Sequence, residues 1–275
     1  MKNTLHDTKA PIRFGITCTT TTVGEWQARC LEHLSELENV ELGLLIFDDG
    51  FAHETNSPKV IKGPRWNRIL FEIYRDHFLW PSARRPVDLS SSLTKVPSIR
   101  CKLIRKGKFS NYFSESDVHA IRNFNLDFIL RFAPGILRGE ILSAARYGIW
   151  SYHHDDEEKY RGGPPCFWEI YNGDPQTGAI LQRLTDRLDA GIILRKGFVP
   201  TIHDSYASNI NSAYFASAPW PAQVCTDIRN GHAEYLDAPP SRSTAPIYYP
   251  PNNIQSLAFA MKVLLNRLTG RSGRF

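Results

Sequence analysis

Four short apolar runs, each too brief for a buried helix and each followed by helical or turn-rich sequence, constrain this chain more than any other feature. They are Pro11–Cys18 (PIRFGITC), Val40–Phe47 (VELGLLIF), Leu126–Phe132 (LDFILRF) and Gly148–His153 (GIWSYH). Runs of this length suit strands covered on both faces. Between the first two, Glu25–Leu37 takes helical spacing through Trp26, Cys30, Leu31 and Leu34. Strand, helix, strand is a βαβ unit, so the expected fold class is α/β with a central, mostly parallel sheet. The turn after the first strand, Thr19–Gly24, lacks GxGxxG spacing, and nothing there points to a dinucleotide.

The remaining sequence is read on that frame. Residues 51–116 are less regular: a basic, aromatic, helix-like stretch at Trp66–Trp80, a Pro/Ser-rich connection at Pro81–Pro97 and a short strand at Arg100–Ile104. Ser116–Phe124 reads as a helix with Ser116 as its cap, and Arg138–Arg146 as another. Further on, Cys166–Asn172 is helix-like, and Gly178–Leu184 and Ile192–Phe198 are spaced as a hairpin. Past Pro200 come helices at Ser205–Ala216 and Ile254–Leu268 around a Pro-rich region. The expected division is a catalytic domain over 11–198, with an insertion at about 51–116, and a helical and Pro-rich C-terminal extension over 199–275.

Composition removes several function classes. With 275 residues, 42% hydrophobic and 22% charged, the chain is long and apolar enough to bury a sizeable core, and a disordered reading has no support. No run approaches the roughly 18–20 apolar residues a bilayer requires, and Met1–Ala10 lacks an apolar signal core, so a cytoplasmic protein with no membrane partner is expected. Five scattered cysteines without a CxxC pair fit reduced thiols. The net charge of +5, spread over Lys59–Lys108 and the tail, suits anionic small molecules; nucleic acid is not expected as a partner, and homodimerisation is left open.

The densest polar cluster, Ser151–Tyr160 (SYHHDDEEKY), begins where the fourth strand should end and runs into Arg161, two glycines and two prolines. Open α/β sheets bind ligands at the carboxyl ends of their strands, and a histidine there can move a proton near neutral pH. His153, His154, Asp155 and Asp156 also have the residue types of a metal site. Adjacent residues point in different directions, however, and no HxxxH completes a ligand set, so no metal is expected. The plainer reading of the segment is a solvated acidic loop.

Four blocks raise the prospect of catalysis above that plainer reading. Asp127–Leu137 (DFILRFAPGIL), Gly148–Gly162 (GIWSYHHDDEEKYRG) with Pro164, Gly173–Gly178 (GDPQTG) and Leu188–Gly191 (LDAG) together resemble the folate-dependent formyltransferase domain, in order and at suitable spacing. The resemblance implies a Rossmann-like formyltransferase domain that moves a formyl group from 10-formyltetrahydrofolate to a small-molecule amine. Aligned on Tyr160-Arg161-Gly162, the family histidine falls on His153 and the family aspartate on Asp189. Two positions depart from the pattern: Ser151 stands where the family has asparagine, and Glu158 where it usually has proline.

Under this resemblance His153 stabilises the developing oxyanion and relays a proton, Asp189 holds the imidazole, and Ser151 is a shorter-reaching third donor. The folate ring would lie along Arg131–Leu137 and Leu184–Asp189, which names Arg131, Phe132, Ala133, Gly135, Ile136, Leu137, Leu184 and Asp186. The tail lacks the composition of the all-β domain that methionyl-tRNA formyltransferase appends, and an amino sugar, often nucleotide-linked, is the expected acceptor, with a specialised-metabolite amine beside it. Hydrolysis of the formyl folate, use of another acyl donor and binding without turnover stay open as alternatives.

Overall fold

The computed structural model describes residues 10–48, 65–106, 110–187 and 191–270. Its centre is a seven-stranded sheet formed by β1 (Ile12–Cys18), β2 (Val40–Asp48), β3 (Ser98–Cys101), β4 (Phe128–Arg131), β5 (Ile149–His153), β6 (Gln176–Arg183) and β7 (Ile192–Pro200), in the order β7-β6-β5-β4-β1-β2-β3. The first five in sequence pair in parallel. β6 and β7 form the expected hairpin and add antiparallel strands at one edge. Chain order reverses between β1 and β4, which in open α/β sheets marks the ligand crevice at the carboxyl ends of the strands.

Alternation along the strands sorts the core into two layers. Phe14, Ile16, Leu45, Phe47, Phe128, Leu130 and Trp150 face one side, and Leu44, Ile46, Ile129 and Ile149 the other. On the first side Trp150 stacks on Phe128 at 3.8 Å and Phe128 on Phe14 at 5.2 Å, so three strands share one aromatic column. Helix α1 (Glu25–Ser35) covers this side through Trp26, Cys30 and Leu34. A second helix, α2 (Ile69–His77), adds Phe71. The opposite side is closed by α3 (Glu115–Arg122), through Val118 and Ile121, and by Ile141.

Beyond α4 (Trp168–Asn172), the C-terminal segment folds back onto the first layer as α5 (Tyr206–Ser217), α6 (Trp220–Asn230) and α7 (Asn253–Thr269). Ile210, Tyr214, Val224, Ile228 and Phe259 join the same buried cluster as the sheet. All five cysteines are free and buried. No helix among the described residues is long and apolar enough to cross a membrane.

Three expectations shift. The cap of α3 is Ser114, whose side chain accepts from the Asp117 amide at 3.1 Å; Ser116 lies inside the helix. The strand expected at Arg100–Ile104 splits into β3 and a separate strand, Ile104–Lys106. Arg138–Arg146 is not an α-helix: Gly139 has φ +82°, which interrupts any continuous turn, and only a 3-10 turn at Glu140–Ser143 follows.

Candidate active site

At the carboxyl end of β5 two adjacent histidines occupy opposite environments, because successive side chains along a strand alternate. His154 is buried, stacks on Tyr214 at 3.5 Å and shares a hydrogen bond with Ser217 Oγ at 3.2 Å. Burial, helped by the neighbouring His153 and Arg84 charges, pushes its pKa well below the ordinary histidine value, so it is a neutral core residue. His153 keeps 23% side-chain exposure. Its Nε2 lies 3.4 Å from the Tyr160 carbonyl and 3.7 Å from Asp155 Oδ2.

The acidic loop is packed down, not solvated. Asp155, Asp156 and Glu157 are all buried, and of the loop's four acids Glu158 alone stands out in solvent, beside Lys159. Lys196 of β7 gathers three of these carboxylates: its Nζ is 2.8 Å from Asp156, 3.0 Å from Glu158 and 3.3 Å from Glu157. The strand register explains how it reaches them, since His153 pairs with Ile180 and Ile180 with Lys196. The loop also needs a bare backbone beneath it. A Cβ on Gly178 would stand 2.7 Å from the Asp156 amide, so the glycine of GDPQTG is what lets the loop lie on β6.

Beneath the loop lies a pair of buried acids. Asp155 accepts from the Cys166 amide at 2.8 Å, and burial together with the nearby Glu169 charge drives its pKa well above the carboxylate range. Glu169, on α4, is fully buried with no side-chain partner for its carboxylate, which only the backbone amides of Glu169 and Gly178 approach as donors. Burial pushes its pKa up to about 8. Tyr160 closes the far side, donating to Asp174 at 2.8 Å and accepting from Asn172 at 2.9 Å. The next residues hold the loop to the C-terminal segment: Gly162, with φ +94°, pairs with Tyr248 so closely that no side chain fits between them.

Beside His153, on the same face of β5, Ser151 opens into a cavity of about 150 Å³. It is lined by Arg131, Gly135, Ile136 and Leu137 from the segment after β4, by Leu184, Asp186 and Arg187 from the segment after β6, and by Gln182 and Gly191. Arg138 donates to the Asp186 carbonyl, and the Gly139 amide to Asp186 Oδ1 at 3.1 Å, so the two walls are tied together. Arg131 donates to the Gly135 carbonyl, while its Nε is buried without a hydrogen-bond partner. Burial lowers its pKa to about 10 against the opposing pull of Asp48.

Six of the eight residues expected to hold a folate, Arg131, Gly135, Ile136, Leu137, Leu184 and Asp186, therefore line one cavity with Ser151. Phe132 and Ala133 do not: Phe132 packs edge-on against Trp26 at 6.0 Å, and both amides bond to the Thr17 carbonyl. Asp189 lies outside the described residues. Lys196, Glu169 and Gln182 were not singled out from the sequence, and Asp155 was weighed only as a metal ligand. Gln182 stands opposite Ser151 through the antiparallel pairing of β5 with β6, a register that the sequence does not give.

No family model matches the chain. A methionyl-tRNA formyltransferase of Agathobacter rectalis is 32% identical over 125 residues, which cover 44% of this chain and 39% of that protein. The chain thus spans about two fifths of the length of the curated relatives it matches. Among solved structures, a phosphoribosylglycinamide formyltransferase from Anaplasma phagocytophilum aligns with TM-score 0.50 at 15% identity, over 80% of this chain and 88% of that one. An N-formyltransferase from Helicobacter canadensis, solved with folinic acid and dTDP-3-aminofucose, aligns with TM-score 0.52 at 11% identity, over 94% of this chain and 82% of that one. Over the matched stretch the sequence is similar to methionyl-tRNA formyltransferases, and the chain shares its fold with formyltransferases of known structure.

Proposed function

We propose that this chain moves a formyl group from 10-formyltetrahydrofolate to an amine, and that the amine belongs to a nucleotide-linked amino sugar. The observation that carries the reading is the cavity at the carboxyl end of the sheet, in which Ser151 stands among Arg131, Ile136, Leu137, Leu184 and Asp186, with His153 two residues further along the same strand face. At about 150 Å³ it is smaller than the roughly 300–1,000 Å³ that encloses a whole ligand, so it suits the bicyclic head of the donor. The unpartnered Arg131 Nε gives a polar heterocycle a donor, and exposed Arg187 at the rim offers charge to the anionic tail.

Each residue has a role in this reading. Ser151 Oγ donates to the formyl oxygen as charge develops there. His153 takes the proton released by the attacking amine and passes it to N10 of the tetrahydrofolate as the bond from N10 to the formyl carbon breaks, with Asp155 Oδ2 3.7 Å away and, in the proposed arrangement, Asp189 behind it. The amino-sugar acceptor draws on the Helicobacter canadensis structure, which was solved with dTDP-3-aminofucose and aligns over 94% of this chain.

The test is thermal stability titrated with 5-formyltetrahydrofolate, a stable stand-in for the donor. At about 100 times its dissociation constant a ligand specific for the native state adds roughly 2.7 kcal/mol. Binding is expected to survive His153→Ala, whereas turnover with an amino-sugar acceptor should fall on the order of 10²–10⁴-fold. No stabilisation at millimolar folate would remove the donor assignment. Formate release that ignores added acceptor would replace transfer by hydrolysis.

A further inference from the structure

Helix α7 presents to solvent a row of large apolar side chains: Ile254 at 78% exposure, Leu257, Met261, Leu264 and Leu268 at 74%. Their spacing is three, four, three, four, which is the a/d seam of a coiled coil and a narrower stripe than a helix uses to cover a globular core. The helix meets its own core through a different face, with Phe259 buried and Val263 half-buried. α7 therefore carries two apolar faces, and its own fold covers the inner one.

The outer face extends sideways. Leu265 widens the seam, and α2, packed alongside α7, adds Ile69, Leu70 and Ile73, all exposed. A groove of about 320 Å³ runs between the two helices, with Leu70, Leu257 and Leu264 on its lips.

We propose that this face is a homodimer interface in which α7 of one copy packs against α7 of a second about a two-fold axis. The heptad row calls for another helix as its partner. The positions beside the seam are Asn253, Ala258, Ala260, Leu265 and Arg267, so a second copy meets small or neutral groups and no ladder of opposed like charges. Arg267 is drawn aside, its Nε donating to the Asp204 carbonyl at 2.6 Å. Nine side chains between 37% and 78% exposed present on the order of 800 Å², about what each partner buries in a standard interface. A lipid surface is the poorer fit, because a membrane-lying helix carries a basic polar face. Here Lys262 and Arg267 are both bonded to carbonyls of their own chain.

The experiment is sedimentation of the full chain at micromolar concentration, beside the double variant Leu257→Glu/Leu264→Glu and the single variants Met261→Cys and Glu115→Cys. Met261 is the midpoint of α7, so it comes within about a turn of its own copy whichever way the helices run. Glu115 sits exposed on α3, across the sheet. The native cysteines are all buried, so a short bismaleimide reads the introduced thiol. The expected result is twice the 31.3 kDa chain mass for the unaltered protein, half that for the glutamate pair with circular dichroism unchanged, and cross-linking at position 261 but not at 115. Should the glutamate pair fail to fold, the cross-linking contrast decides by itself. A monomeric native chain, a dimer indifferent to the glutamates, or a monomer that floats with lipid vesicles would each overturn the proposal.

Discussion

Glu169 is a carboxylic acid sealed in the core with no side-chain hydrogen-bond partner, and that makes it a source of pH-dependent stability. Its pKa is about 8 in the native state against an ordinary 4.5, chiefly from burial. Between those values the native chain keeps a proton that the unfolded chain has released, so stability falls as pH rises from about 4.5 to 8 and the full cost is present above 8. The shift of Asp155, also upward, acts in the same direction. Glu169→Gln is therefore expected to flatten the profile and to be favoured over the native chain at pH 8 by on the order of a few kcal/mol. Urea unfolding at pH 5, 6, 7 and 8 checks this; parallel profiles for the two proteins would exclude the assignment. The sequence made the helix around Glu169 legible, through its apolar neighbours Phe167, Trp168 and Ile170, but not the burial of its acid. That burial depends on α4 packing under a loop whose acids looked solvated. Telling His153 from His154 has the same limit. The alternation of a strand assigns them to opposite faces, whereas which face is the core is set by Tyr214 and Ser217, some sixty residues further along the chain.

Elements were more legible than the contacts between them. The four apolar runs are strands within a residue or two of their expected bounds, because an all-apolar run that short has few other ways to be buried. α6 escaped notice because Pro219 and Pro221 read as a breaker, although proline suits the first turn of a helix, where its missing N–H has no partner to lose. The hairpin β6–β7 was visible, but its register was not. Register is what carries Lys196 across from β7 to the acidic loop after β5. This one cation compensates Asp156 and Glu157, whose side chains are about 10% exposed. Lys196→Met should thus leave two buried carboxylates uncompensated and cost about 2–4 kcal/mol at pH 7. Denaturant midpoints of Lys196→Met and of the charge-keeping Lys196→Arg check this. An equal loss in both would mean that the charge is not what the loop requires.

The molecule as a whole is held by one aromatic-rich layer that does not end with the last strand. Trp26 lies edge-on to Tyr152 at 4.9 Å and to Tyr214 of α5 at 5.3 Å, and Phe167 stacks on Phe259 of α7 at 4.2 Å. Asn209 of α5 reaches in between, donating to the Cys166 carbonyl at 3.1 Å and accepting from the Ile202 amide at 3.0 Å. The tail after Pro200 was legible as helices, yet its composition gave no measure of how deeply they enter the core, because the tertiary partners of Asn209, Tyr214 and Phe259 are remote in sequence. Removing that tail would expose Trp26, Tyr152, Phe167 and Leu194 together and leave His154 without the Tyr214 ring and without its hydrogen bond to Ser217. Each large side chain so uncovered loses about 1.5–3 kcal/mol of burial, and a handful of them exceeds the 5–15 kcal/mol that holds a typical domain folded. A fragment ending at Pro200 is accordingly expected to show no cooperative melt. The full chain should unfold in a single transition, with far-UV circular dichroism and tryptophan fluorescence coincident, since Trp26, Trp150 and Trp168 all sit in this layer. A fragment that melts cooperatively, or a full chain whose two signals separate, would show that the sheet and the C-terminal helices are independent folding units.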